Sequence, residues 1–280
     1  MDKKWLLGVV VVVCLCGVTA MALDQLGPPT AGLKQGQWSA GFNYSYSSQD
    51  LDKTKMKWSE VWDGESDSGS YKLKIKDWKT QRYYGRIGYG VDDWWEVYAQ
   101  LGVADVKSKF KEVGDDEWSG VNFDNDFAWG LGTKVTFARQ DKIDWGVAFQ
   151  MNWLNTSRSE KGTDEEDGDS ESWKETIDIE TYDLLLAVGP TVDMGGWKLY
   201  GGPFYYYLSG DIKIKETGTW TGEEDSGSWL YKEKGDLEAA SNFGGYIGAQ
   251  LDLTQNCNAT VEFASTGDGW GLGTGIVWKF

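Results

Sequence analysis

Carboxylates are the side chains of this sequence whose spacing could support chemistry. Asp124 and Asp126 follow the run Asp115-Asp116-Glu117, and a second acidic run covers residues 164–171. Paired carboxylates can carry out acid/base catalysis, and clustered oxygens are the ligands that Ca²⁺ and Mg²⁺ prefer. The spacing matches no recognised calcium loop, and 44 acidic residues make close pairs inevitable by chance. We therefore interpret these runs as solvated acidic faces, with a divalent cation as the weaker alternative.

Histidine is absent from all 280 positions of the chain. A histidine general base, a histidine-dependent triad and the usual zinc sites are therefore excluded. We expect no catalytic residue, no metal ligand and no cofactor, and we expect that the protein is not an enzyme. The formal net charge of −17 also excludes nucleic acid as a natural partner, because phosphates attract the opposite charge.

The last eleven residues alternate between large apolar side chains on one face and mostly glycine on the other. The apolar face holds the aromatic and aliphatic residues Trp270, Leu272, Ile276, Trp278 and Phe280. A strand with an apolar outer face and a small inner face is typical of transmembrane β-barrels. This pattern predicts the closing strand of such a barrel.

Nine further segments with the same two-residue period precede it, beginning at Trp38. The connections after the second, fourth, sixth and eighth segments are short, whereas most of the others are long and acidic. The sequence therefore predicts an all-β fold, an antiparallel up-and-down barrel of about ten strands with short periplasmic turns and long extracellular hairpins. Residues 71–91 are about twice the ~9–11 residues that cross a bilayer, so the wall should project above the membrane. The alternation slips near Thr181 and Ser209-Gly210, where we expect bulges.

The N-terminus has the features of a secretory signal peptide. Lys3 and Lys4 precede an apolar core, and Ala20-Met21-Ala22 supplies small residues before a cleavage site. We assign residues 1–22 to the signal peptide, 23–36 to a periplasmic connector and 37–280 to the barrel. The connector contains Pro28 and Pro29, which forbid a regular element, and we expect it to be too short to plug the barrel.

Seven charged residues, Lys279 among them, fall on the inward face of the predicted strands. Buried charges are costly unless they are paired, so either they form a network that fills the lumen or water reaches them through a narrow pore. Ten strands are nearer the filled eight-stranded case than the open sixteen-stranded one. We predict a largely filled lumen and a structural or surface-interaction role, with a narrow porin-like channel for small solutes or cations as the alternative. The predicted lumen charge network consists of Arg82, Arg86, Glu96, Lys134, Asp183 and Glu262.

Six tryptophans lie in the projecting hairpins: Trp58, Trp62, Trp118, Trp173, Trp220 and Trp229. Tryptophan beside carboxylates can stack on sugar rings, which would make a surface glycan a partner. The alternative, which we favour, is that the extended hairpins pack on one another through these rings.

These features together resemble bacterial outer-membrane β-barrel proteins of the small, single-chain type. In strand number and length the architecture resembles the omptin proteases, but omptins depend on a histidine, so the resemblance transfers no catalytic residue. It implies export through the Sec pathway, residence in the outer membrane, and contact with its lipid and lipopolysaccharide. It also implies that the barrel assembly machinery recognises the closing strand through an assembly signal formed by Trp270, Leu272, Ile276, Trp278 and Phe280.

Overall fold

The computed structural model describes residues 25–166, 169–222 and 225–280. The predicted signal peptide, residues 1–22, lies outside this range. Within the described residues no helix is long and apolar enough to cross a membrane. The regular elements are thirteen β-strands: β1 (Trp38–Gln49), β2 (Thr54–Trp62), β3 (Glu65–Asp92), β4 (Trp95–Glu112), β5 (Ser119–Asn122), β6 (Asp126–Gln140), β7 (Ile143–Glu166), β8 (Asp169–Asp193), β9 (Trp197–Thr221), β10 (Ser226–Glu238), β11 (Phe243–Asp252), β12 (Cys257–Thr266) and β13 (Gly269–Lys279).

Ten of these strands close into a ring. The hydrogen-bonded order runs β1, β3, β4, β6, β7, β8, β9, β11, β12, β13 and back to β1, with every pair antiparallel. The ring closes between Ser39↔Lys279 and Gln49↔Gly269. The predicted all-β barrel of about ten strands is therefore confirmed, and β13 is its last strand.

The two-residue period separates the two faces of the ring. Outward apolar side chains remain exposed, as for Ile87 at 58%, Leu101 at 58% and Phe127 at 63% of their surface. Side chains on the inward face, such as Arg82 and Tyr98, are buried. An apolar surface of this kind is stable when lipid covers it.

At the end with the long hairpins the strands continue beyond the ring as an additional β-structure. We call it the extended wall: β2, β5 and β10, with residues 65–79 of β3, 105–112 of β4, 155–166 of β7, 169–180 of β8 and 211–221 of β9. β2 pairs with β3 on one side and with β10 on the other, and β10 also pairs with β9. The predicted loops are thus continued hairpins that pair with one another.

The bulges expected near Thr181 and Ser209-Gly210 are wrong. Thr181 pairs with Gly210, and Tyr182 pairs with Ser209, in an unbroken register. The apolar alternation ends near Thr181 because the outward side chains become polar where the extended wall begins. The same positions of β8 and β9 continue to face inward on both sides of this boundary. Register shifts occur instead between Lys76 and Lys79 and between Gly90 and Asp92 in β3, and between Thr136 and Ala138 in β6.

Candidate functional site

The N-terminal segment lies inside the barrel at the end with the short turns. Leu26 is 1% exposed, Thr30 6% and Leu33 5%. We call residues 25–33 the plug. The expectation that the connector was too short to plug the barrel is therefore wrong: a chain without regular structure needs few residues to fill a ten-stranded lumen that wall side chains already narrow.

Wall side chains satisfy the backbone of the plug. Glu262 of β12 accepts hydrogen bonds from the backbone N–H groups of Leu26 (3.0 Å) and Gly27 (2.9 Å). Glu96 of β4 accepts from the N–H of Gly32 at 2.7 Å. Because Pro28 and Pro29 have no N–H, the plug has fewer donors to satisfy than an ordinary segment.

Further bonds connect the plug to the rest of the ring. The Thr30 hydroxyl bonds to that of Thr191 in β8 at 2.9 Å, and the N–H of Ala31 donates to the Thr136 hydroxyl in β6 at 2.9 Å. Lys279 of β13 donates from Nζ to the carbonyl of Gly32 at 2.8 Å. With Glu96 and Glu262, these bonds attach the plug to five strands distributed around the ring.

Inward glycines make room for the plug. A Cβ atom on Gly146 would lie 2.5 Å from the carbonyl oxygen of Pro29, and one on Gly273 would lie 2.4 Å from Cβ of Gln25. Contacts this short are forbidden, so a larger residue at either position would displace the plug. Two signals in the sequence could have predicted a segment bound inside the barrel. They are the glycines on the inward face and the inward charges of Lys134 and Glu262.

Arg82 and Asp183, two of the predicted lumen charges, form an ion pair across the ring. The Arg82 guanidinium donates to the Asp183 carboxylate at 2.6 Å, and the side chains are 8% and 2% exposed. Asn152 donates to the same carboxylate at 2.7 Å, and Gln100 donates to Asn152 at 2.7 Å. This chain of bonds links β3, β8, β7 and β4 across the lumen.

A second group of charges lies between this pair and the plug. Arg86 donates to Glu96 at 3.3 Å and lies 3.5 Å from the ring centroid of Tyr98, whose hydroxyl donates to Gln150 at 2.7 Å. Lys134 is buried, with Nζ 6.0 Å from the centre of the same ring. Four of the six predicted network residues thus form two ion pairs, whereas Lys134 and Glu262 lie beside the plug.

Little space remains at this level of the lumen. A cavity of about 60 Å³ lies next to the plug, lined in part by Arg86, Glu96, Lys134 and Lys279. That volume holds only a few water molecules.

Aromatic and acidic side chains line the inside of the extended wall. The rings of Trp62 and Trp229 stack with centroids 6.3 Å apart, and Trp229 donates from Nε1 to Glu171 at 2.9 Å. Trp58 stacks on Tyr231 at 6.1 Å. These contacts join β2 to β10, so the rings pack hairpins together, as the favoured interpretation expected.

Two of the other three hairpin tryptophans, Trp173 and Trp118, also have polar or charged partners. Trp173 donates from Nε1 to Asp164 at 3.3 Å. Trp118 lies on the outside, with Nζ of Lys76 and of Lys111 at 5.9 and 5.6 Å from its ring. Trp220 lies on the inward face near Gly227, where an added Cβ would come 2.6 Å from Trp220 Nε1.

The carboxylates inside the extended wall are close enough to repel one another. Glu175 and Glu216 are direct cross-strand partners. Burial, and then neighbouring carboxylates, raise the pKa of each above its ordinary value. Burial and the adjacent Glu233 likewise raise the pKa values of Tyr71 and Tyr231, whose hydroxyls both donate to Glu233.

The acidic runs singled out in the sequence do not converge on a metal site. Among the described residues no three or more His, Cys, Asp or Glu side chains are grouped so as to hold a metal ion. Asp126 accepts hydrogen bonds from the Thr156 hydroxyl at 2.5 Å and the Ser157 N–H at 3.2 Å. Asp167 lies outside the described residues, as do the side chains of Glu166 and Asp169.

The chain has similarities to known outer-membrane proteins. The family model described as "Outer membrane protein beta-barrel domain" matches residues 97–276. No curated protein matches the chain. Solved structures with a similar chain path include OprG from Pseudomonas aeruginosa, at 11% identity over 89% of this chain and 98% of that one, with a TM-score of 0.37. The protease OmpT from Escherichia coli, at 10% identity over 87% and 97%, also scores 0.37. Scores this low support no inference about function.

Proposed function

The chain belongs to the outer-membrane protein β-barrel family, and from that premise we propose that it is a sealed barrel whose extended wall makes interactions at the cell surface. The single observation that carries this proposal is the plug, bonded to five strands inside the lumen. The short turns face the periplasm and the extended wall faces outward, as in bacterial barrels generally. The plug therefore closes the periplasmic end.

Two obstacles in series support a sealed lumen. The plug occupies one level, and the Arg82–Asp183 pair with Asn152 and Gln100 crosses the next. Conduction requires a continuous water-filled path whose binding sites an ion can leave again. An ion would have to displace a buried ion pair and then nine residues of folded chain, both of which are costly.

Export and assembly complete the proposal. Residues 1–22 direct the chain through the Sec pathway, and the barrel assembly machinery reads the closing strand that ends at Phe280. The role is non-enzymatic, and it is supported by the lack of histidine and by the use of the buried carboxylates Glu96, Asp183 and Glu262 as hydrogen-bond acceptors.

Planar-bilayer recording tests the sealed lumen. Protein purified from the outer membrane, in its heat-modifiable folded form, should insert without stable conductance. A variant lacking residues 25–33 is the positive control and should show steps that scale with salt concentration. If deletion prevents folding, the variant Glu96→Gln with Glu262→Gln, which weakens three hydrogen bonds to the plug, should show intermittent openings instead.

The same recordings decide between the proposal and a narrow channel. Stable, salt-dependent conductance of the unaltered protein, with liposomes permeable to small solutes, would refute a sealed barrel and favour a porin-like channel. Silence of both the unaltered protein and the folded deletion variant would show that the plug is not what closes the lumen.

A further inference from the structure

Thirteen of the chain's 27 Lys and Arg residues project from one outer side of the extended wall. They alternate with inward residues on β9, β10, β2, β3 and β4, which are consecutive neighbours in the sheet. We call them the lysine surface: Lys213 and Lys215 on β9, Lys232 and Lys234 on β10, Lys55 and Lys57 on β2, Lys72, Lys74, Lys76 and Lys79 on β3, and Lys107, Lys109 and Lys111 on β4.

The strand register sets these lysines directly opposite one another. Side chains that are direct partners in an antiparallel pair have Cβ atoms about 4.5–5.5 Å apart, and like charges there destabilise the sheet. Seven such pairs occur on the lysine surface: Lys55↔Lys72, Lys57↔Lys234, Lys74↔Lys111, Lys76↔Lys109, Lys79↔Lys107, Lys213↔Lys234 and Lys215↔Lys232.

The protein provides few counter-charges for this surface. The ion pairs of its lysines within the described residues are Lys76–Asp50 (3.9 Å), Lys107–Asp105 (4.0 Å), Lys109–Asp77 (2.7 Å) and Lys234–Asp211 (3.6 Å). The four lysine side chains are 49–58% exposed, so water and salt screen these pairs.

The two faces of the same strands differ in charge. Inward positions hold apolar residues such as Met56 and Ile75 and the carboxylates Glu60, Glu216 and Glu233. Within the extended wall the lysines of these strands lie on the outside, in a chain whose net charge is −17. The thirteen lysines outnumber the nearby carboxylates, which include the four aspartates that form ion pairs with them and Asp178, the cross-strand partner of Lys213. A surface with such an excess of one sign suits an oppositely charged partner.

The lysine surface begins directly above the apolar band of the barrel. On β4, outward Leu101 and Val103 are 58% and 41% exposed, and Lys107 follows four residues beyond Val103. Four residues of strand span about 13 Å. The rings of Tyr44 and Tyr83, 5.0 Å apart, lie at the same boundary, where aromatic residues meet the membrane interface. The lowest lysines therefore lie at the height of lipid head groups.

We propose that the lysine surface binds the phosphate groups of the outer-leaflet lipopolysaccharide that surrounds the barrel. Lipid phosphates are held in a layer at this height, and one phosphate can neutralise two directly opposed lysines, which offsets their repulsion. The proposal names a ligand for the surface interaction of the proposed function. It rests on the outward orientation of the wall in that function, but it does not require a sealed lumen.

The test is a titration of the detergent-solubilised full barrel with bisphosphoryl lipid A, with bound lipid counted by native mass spectrometry. Affinity should be on the order of tenfold higher than for dephosphorylated lipid A, and it should fall as salt is added. The variant Lys79→Gln with Lys107→Gln, a directly opposed pair next to the apolar band, should lose about tenfold in affinity for the phosphorylated lipid.

The chain offers a matched control in Lys161↔Lys174, an opposed pair on β7 and β8 that lies near the tip of the extended wall, farther from the apolar band. Lys161→Gln with Lys174→Gln removes the same charge in the same geometry and should change affinity by less than about twofold. Thermal unfolding gives a second measurement. Without lipid A, the Lys79/Lys107 variant should unfold at a higher temperature than the unaltered protein, and it should gain less stability when lipid A is added.

Three results would overturn the proposal. The first is equal affinity for phosphorylated and dephosphorylated lipid A. The second is an equal loss of affinity in the control variant. The third is tighter binding of a soluble polyanion such as heparin that displaces lipid A, since the occupant would then be a soluble glycan. A conducting barrel that still binds lipid A in this way would refute the sealed lumen and leave the lipid-binding surface standing.

Discussion

At the level of single residues, the Arg82–Asp183 pair shows how this lumen tolerates charge. Both side chains are almost completely buried, and Asn152 provides a further donor to the carboxylate. A buried pair contributes little net stability compared with apolar side chains of the same size, but a single buried charge without its partner is costly.

Removing one partner of this pair should therefore destabilise the barrel strongly. We expect Arg82→Met to lower the free energy of unfolding by about 3–5 kcal/mol, and the addition of Asp183→Leu to recover most of that loss. Urea unfolding followed by tryptophan fluorescence measures both. The exposed pair Lys234–Asp211 is the control, since Lys234→Gln should cost less than about 1 kcal/mol. A loss of similar size from both single variants would contradict this account.

The opposed carboxylates Glu175 and Glu216 make the stability of the extended wall depend on pH. Their pKa values in the folded protein are raised above the ordinary 4.5, mainly by burial. The folded state therefore holds protons that the unfolded state releases, and stability falls as pH rises through the folded pKa values. Below the ordinary pKa both states are protonated and the penalty disappears.

Replacing both carboxylates tests this sign. Glu175→Gln with Glu216→Gln should raise the midpoint of thermal unfolding at pH 7, where the penalty is present, and should have little effect at pH 4. Differential scanning calorimetry at the two pH values measures the difference. A variant that is less stable than the unaltered protein at pH 7 would show that the pair is not repulsive.

At the level of elements, the plug is a segment without regular structure that depends on the shape of the wall. Its backbone is bonded by side chains of five strands, and glycines on the inward face leave space for it. The barrel strands do not need the plug for their own pairing. Displacing it should therefore open the periplasmic end and preserve the ring.

Gly273→Val should displace the plug, because an added Cβ would lie 2.4 Å from Gln25. A Thr30→Cys reporter in a Cys257→Ala background measures this by its labelling rate with a water-soluble maleimide. The rate should rise at least about tenfold in the Gly273→Val variant. Gly85→Val is the matched control, because Gly85 faces outward. The atom nearest to an added Cβ there is the carbonyl oxygen of Leu101, at an ordinary contact distance of 3.7 Å. Equal rates in both variants would show that a larger side chain at position 273 does not displace the plug.

At the level of the whole molecule, the ring closes through the two ends of the barrel chain. β13 pairs with both β12 and β1, and backbone bonds join Phe280 N–H to Trp38 O (2.9 Å) and Trp38 N–H to Phe280 O (3.1 Å). Until β13 is in place, β1 and β12 each have an edge without its ring partner, and such edges are not stable in lipid.

Deleting Phe280 should impair insertion into the outer membrane while leaving export intact. The deletion removes two backbone hydrogen bonds of the closing seam and the terminal residue of the proposed assembly signal. The amount of heat-modifiable barrel in outer-membrane fractions measures insertion, and periplasmic accumulation measures export. Phe243→Ala, at an outward aromatic that is 73% exposed, should insert normally. Normal insertion of the deletion variant would show that the closing strand does not act as proposed.

Much of the fold could be predicted from the sequence, because a β-strand shows its two faces in a local period of two residues. The alternation from Trp38 to Phe280, together with the lengths of the turns, was enough to predict a barrel of about ten strands and a projecting wall. It was also enough to place Arg82, Arg86, Glu96, Lys134, Asp183 and Glu262 inside the lumen, because the face of a strand is a local property.

Which of these residues meet was decided only by the tertiary structure. Arg82 and Asp183 are 101 positions apart, and Leu26 and Glu262 are 236 apart, so their contacts depend on ring closure and on the relative height of strands. The plug was missed because it has no period to detect and its partners are wall side chains. The opposed lysines were missed for a related reason. A period of two residues assigns each lysine to the outer face of its own strand. Which lysine lies opposite which depends on the register between strands, and only the closed sheet determines that register.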